Sequence, residues 1–110
     1  MPVLMTMRVA GDPKKLEEQG VNGRDALDSI MESAKKHGII AHRFYGSDDG
    51  QIMVVDLWPD PQSFQKFFEE NGARIQPLIQ ATGAQGEPEV TFWHELDMPD
   101  KVGWEESESG

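Results

Sequence analysis

The chain has 110 residues with three histidines and no cysteine, and those counts narrow the chemistry before any fold is considered. Without thiols there is no disulfide, no thiolate metal site and no cysteine nucleophile. Acid–base work near neutral pH falls to histidine, whose ordinary titration lies closest to that range. His42 heads the stretch HRFYGSDDGQIMVVDLW, residues 42 to 58. In that setting it is a candidate general base, or a hydrogen-bond donor to an enolate or peroxide oxygen. The competing reading is a neutral histidine with both ring nitrogens satisfied inside a packed face. His94, in VTFWHEL, carries the same two readings. His37 follows Lys35 and Lys36 and precedes Gly38, which marks the C-terminal cap of a helix. No H-x-H or H-x-x-x-H spacing puts two ligands on one element, so no metal site is expected. Nor is there a Ser-His-Asp order, a phosphate loop or a nucleotide fingerprint.

Around His42 stand Arg43, Tyr45, Asp56 and Trp58, residues that could line a pocket. A plainer account makes Arg43 and Asp56 a surface ion pair beside an aromatic ring, and Trp58 a core plug or helix staple. Their placement depends on the hairpin that joins the two halves of the stretch. With GSDDG as the turn, the expected pairs are Phe44 opposite Met53, His42 opposite Val55 and Ile40 opposite Leu57. One face then holds Ile40, His42, Phe44, Met53, Val55 and Leu57, apolar except for the histidine. The other holds Ala41, Arg43, Tyr45, Ile52, Val54, Asp56 and Trp58, with Arg43 and Asp56 as diagonal neighbours. A register error of one residue would exchange these faces. The last strand repeats the arrangement, with Val90, Phe92, His94 and Leu96 on one side and Thr91, Trp93 and Glu95 on the other.

The elements that must carry these residues follow from period and punctuation. PVLMTMRVA reads as a strand ending at GDP, and DPKKLEEQGVNG as a turn of helix and a loop, being polar and broken by two glycines. GRDALDSIMESAKKHG is helical, with Ala26, Leu27, Ile30, Met31 and Ala34 on one face. IIAHRFY and QIMVVDLW are strands. Asp60 and Pro61 then cap a helix whose stripe is Phe64, Phe67 and Phe68, ending at Asn71-Gly72. A second short helix, ARIQPLIQATG, is limited or kinked by Pro77, and EPEVTFWHEL alternates as the final strand. The order βαββαβ is the ferredoxin-like split motif: an α+β domain with an antiparallel sheet and helices on one face. The opposite face is also apolar, and a second subunit is its simplest cover.

Composition agrees with one domain able to bury a core. Mean hydropathy is -0.56, modest for a monomer. A net charge of -10 argues against nucleic acid. Half of it lies between Glu95 and Gly110, where six acids face Lys101 alone; residues 99–110 are expected to be a solvated acidic tail. The N-terminal apolar run is too short for a signal peptide or membrane span, so a soluble, cytoplasmic protein is expected.

With these elements in place, VVDLWPDPQSFQKFF resembles the dimeric α/β-barrel superfamily. More narrowly it is similar to antibiotic-biosynthesis-monooxygenase-like proteins, whose third strand runs into a comparable W-x-[SD]-x-x-[SA]-F stretch. The likeness covers about residues 3–96, within a domain placed at 1–98. It implies a homodimer packed sheet on sheet, and a small-molecule enzyme without cofactor acting on an aromatic or polyketide-like substrate between sheet and helices. His42 would then take or hold a proton and Arg43 would stabilise oxyanion charge. Tyr45, Asp56, Trp58, Phe67 and His94 would bind substrate and exclude water. His42 of one chain and His94 of the other could approach across the interface. The haem-degrading branch is disfavoured. Its members carry a tryptophan where Phe67 stands, an axial histidine where ARIQPLIQ has none, and an asparagine in the first strand, where VLMTMRV has none. The alternative function is a non-catalytic dimeric ligand-binding or stress-related protein with structural histidines.

Overall fold

A computed structural model describes residues 2–103. The order is β1 (Val3–Ala10), α1 (Pro13–Asn22), α2 (Arg24–Lys36), β2 (Ala41–Gly46), β3 (Gln51–Trp58), α3 (Pro61–Gln80) and β4 (Gln85–Trp93). All strand pairs are antiparallel, in the spatial order β2-β3-β1-β4. This is the ferredoxin-like α+β fold expected, with an additional helix, and His42 lies on one edge strand. The last acids of the expected tail, Glu105, Glu106 and Glu108, lie outside the described residues.

The core sits where the strand alternation meets the helices. Met5 and Met7 of β1 and Trp58 of β3 pack with Ile30 and Ala34 of α2 and with Phe64 and Phe67 of α3. Those two phenylalanines belong to the sequence's own helical stripe, and burying each stabilises the fold by about 1.5–3 kcal/mol. α2 ends as its sequence indicates. His37 is the cap, and Gly38, at φ 91°, allows Gly38 N–H to reach Lys35 C=O and Ile39 N–H to reach Ala34 C=O. That double bond pattern is a Schellman closure, and it turns the chain into β2.

Three expectations are corrected. The segment expected to be mostly loop is the ten-residue helix α1. Asp12 caps it by accepting from Lys14 N–H at 2.9 Å, Pro13 supplies a pre-set first turn, and Gly20 lies inside it. The two helices expected after β3 are one continuous helix of 20 residues. Asn71, read as a stop signal, is instead buried, with its amide donating to the Phe67 carbonyl at 2.9 Å and to Ser33 Oγ at 2.8 Å. A side chain tied to its own helix and to α2 has no pull toward a turn. Pro77 lacks only one N–H, and the helix runs through it. Finally, β4 stops at Trp93, so His94 and Leu96 are exposed and off the sheet rather than on a strand face.

The hairpin differs most in its consequences. Ser47 and Gln51 close it: Ser47 N–H donates to Gln51 C=O at 2.9 Å, and Gly50 N–H to Ser47 C=O at 3.3 Å. Gly50 has φ 87°. The loop is therefore the three residues Asp48, Asp49 and Gly50, a turn followed by a left-handed glycine. The expected register had an even-length loop. The observed pairs are His42 with Asp56, Phe44 with Val54 and Tyr45 with Met53. The one-residue shift moves Asp56 and Trp58 onto the face of His42, and leaves Arg43 and Tyr45 on the other.

Candidate active site

His42 and Asp56 lie directly across from each other on β2 and β3, with both side chains on the helix side of the sheet. His42 Nδ1 is 2.7 Å from Asp56 Oδ1. Asp56 is 4% exposed, and its second oxygen accepts from the indole Nε1–H of Trp58 at 3.2 Å. A buried carboxylate accepts from both neighbours, so the proton of the imidazole is assigned to Nδ1, leaving the Nε2 lone pair open. Among the described residues nothing bonds Nε2, and no buried polar atom lacks a partner. Nε2 therefore reaches solvent. The ring of Phe44 stands edge to face with the imidazole at 4.9 Å.

Rigid packing lies behind this pair. Trp58 is fully buried between Phe64 and Phe67, at centroid distances of 5.9 and 5.3 Å. In front of it the site is open, because Phe44 is 45% exposed. An oriented histidine with one accessible lone pair beside an exposed aromatic ring can accept a proton from an aromatic ligand laid on that ring. The arrangement follows the base-and-orienter logic of catalytic dyads.

The expected site residues separate into three groups. His42 and Asp56 come together, with Trp58 and Phe67 behind them. Trp58 and Phe67 are too buried to touch a ligand as the expectation required: they are 0% and 6% exposed. Arg43 and Tyr45 lie on the opposite sheet face, so the expected Arg43–Asp56 pair does not form. Arg43 instead donates to the His42 carbonyl at 3.4 Å. His94 sits past β4, at the other edge. Phe44 was recognised on the face of His42 but not as part of a site. The hairpin sequence S-D-D-G, with a glycine suited to the left-handed third loop position, was the signal that would have set the register. Elsewhere, an open cleft of about 620 Å³ lies toward the hairpin end, lined by Gly11, Asp12, Lys15, Ser47 and Thr82 among others, and it contains none of these residues.

No family model matches the chain, and no curated protein matches it. Solved structures do match in shape. A monooxygenase from the gene ActVA-Orf6 of Streptomyces coelicolor, in complex with nanaomycin D, is 17% identical with a TM-score of 0.62, over 90% of this chain and 92% of that one. SnoaB, a cofactor-independent oxygenase from Streptomyces nogalater, is 14% identical with a TM-score of 0.59, over 91% and 98%. A conserved protein from Methanosarcina mazei Go1 is 17% identical with a TM-score of 0.64, over 87% and 94%. The chain has the fold of antibiotic-biosynthesis-monooxygenase-like proteins.

Proposed function

We propose that the protein is a cofactor-independent oxygenase of hydroxylated aromatic, polyketide-like molecules, with His42 as its base. The observation that carries this reading is the Asp56-oriented imidazole with Nε2 open beside Phe44; the shared fold with oxygenases supports it. A phenol laid on Phe44 gives its proton to Nε2. The resulting phenolate is electron-rich at a ring carbon, where dioxygen bonds. One oxygen atom stays on that carbon as a carbonyl. The O–O bond breaks as the carbon's single hydrogen leaves as a proton, and the second oxygen departs as water with that proton and the one held on Nε2, so that phenol and dioxygen give a quinone and water. Arg43 has no part in this step within one chain, since it faces the other side of the sheet.

The test is oxygen uptake and isotope incorporation from labelled dioxygen, with a panel of anthrones, naphthols and hydroquinones and no added metal. His42→Asn places an amide near the Nδ1 position, so it can still donate to Asp56 while removing the base. Turnover should fall about 10²-fold or more with folding retained. Binding of the panel without turnover, or full turnover by His42→Asn, refutes the reading.

A homodimer belongs to the same proposal. Leu4, Met53, Val55 and Leu57 are only half-buried on the open face, with Tyr45 and Trp93 half-exposed around them. A second copy packed there removes that apolar surface from water. His94, at the edge opposite β2, would then approach a neighbouring chain rather than its own His42. Leu57→Lys should convert a dimer to a monomer in light scattering; a wild type that is monomeric at micromolar concentration overturns the assembly.

A further inference from the structure

We propose that Trp58 is a positioning residue for His42 and acts through Asp56. This inference rests on the reading of His42 as the base. Trp58 is fully buried, so it cannot meet a substrate; its one polar atom nevertheless points at the carboxylate that orients the imidazole. A carboxylate held by one donor can pivot about its Cβ–Cγ bond, a broad torsion with little intrinsic preference. Asp56 has two donors on two different oxygens, the indole on Oδ2 and the imidazole on Oδ1. The indole donor fixes the plane of the carboxylate, and so presents Oδ1 to Nδ1.

The indole is itself held against Phe64 and Phe67, and Phe64 also meets Phe92 of β4 edge to face at 5.7 Å. The core holds the indole in place, and the orientation itself is carried by the indole N–H, through Asp56, to a histidine on an edge strand. The spacing D-x-W on β3 makes this possible, because residues 56 and 58 share one face of the strand. Each bond of the relay joins a group that is at least three-quarters buried, where hydrogen bonds act in a lower dielectric than water.

The experiment reads the ring nitrogens of His42 by long-range nitrogen–proton NMR on the full-length chain. Wild type should show a single tautomer protonated at Nδ1. Trp58→Phe keeps an aromatic ring in the core and removes the N–H; it should give a mixture of tautomers and lower kcat about tenfold with KM unchanged. Phe67→Leu loosens the same aromatic cluster without touching Asp56 and should leave the tautomer as in wild type. A Trp58→Phe protein with the wild-type tautomer overturns the proposal, and so does a Phe67→Leu protein that shifts equally. Should Trp58→Phe not fold, Asp56→Asn supplies the reading: the indole N–H resonance of Trp58 and the His42 nitrogens must both move, and movement of only one overturns the relay. The NMR readouts need no turnover. A wild type with the expected tautomer response but no oxygen uptake refutes the oxygenase reading and leaves the relay standing.

Discussion

Removing either member of the His42–Asp56 pair should harm the fold more than removing both would suggest, and the size of the difference can be worked from the structure. In His42→Ala the Asp56 carboxylate keeps only the Trp58 donor while its side chain is 6% exposed. A bond to a charged group contributes about 1.5–3 kcal/mol, and a buried group left short of partners costs about 1–3 kcal/mol. In Asp56→Ala two donors lose their acceptor, Trp58 Nε1 and His42 Nδ1, and only the second is partly wetted. The double variant no longer contains the stranded carboxylate, so its loss should fall short of the summed single losses. The expected coupling is about 2 kcal/mol. With a urea dependence of about 1–3 kcal/mol per molar for a domain of this size, that equals a midpoint difference of about 1 M. Urea melts of all four proteins at pH 7, followed by tryptophan fluorescence and circular dichroism, measure it. Additive losses within about 0.5 kcal/mol would mean that the two side chains do not hold one another in solution, and the reasoning about an oriented base would fall with them.

Three further outcomes follow from geometry alone. Asp60 is held below the ordinary carboxylate value of 3.8 first by the Ser63 N–H and then by its hydroxyl; a lowered folded-state value means stability complete above 3.8 and lost as pH falls through the folded value. Asp60→Ala should therefore melt below wild type at pH 7, with the gap closing at acid pH in calorimetry. Asn71→Ala breaks bonds to Ser33, Phe67 and Arg74 and should cost about 2–4 kcal/mol in urea unfolding, through loosened α2–α3 packing. Gly11→Ala places a Cβ 2.7 Å from Thr82 Oγ1 and 3.1 Å from Ile52 Cδ1. It should cost about 1–3 kcal/mol by the same assay, since Thr82 and Ile52 are both buried.

The fold was legible where burial and punctuation agreed. Ala26 to Ala34 carried a helical period, Asp60-Pro61 a start and Gly38 a stop, and each marks a true element boundary or face. It was misread where one residue had two possible uses. Asn71 is a common turn residue, yet here its amide is consumed by a carbonyl on its own helix and a hydroxyl on the next, and only tertiary contact reveals that. Gly20 looked like a breaker, but the cap at Asp12 outweighs a cost of about 1 kcal/mol. The site was half legible. His42, Asp56 and Trp58 could all be picked out by type, but their relation hung on whether a loop held three residues or four. Local propensity says little about that; the position of one left-handed glycine decides it.

The hairpin loop therefore governs more than where the chain turns. Strand side chains alternate, so an insertion of a single residue between Asp48 and Gly50 that slid β2 by one position against β3 would leave every existing residue in the chain and the buried core cluster, which has no β2 member, in place. It would place His42 on one side of the sheet and Asp56 on the other. Loop parity thus decides whether the His42–Asp56 pair can form at all. A form of this chain with an even count at that hairpin would keep both residues of the pair and still be unable to bring them together.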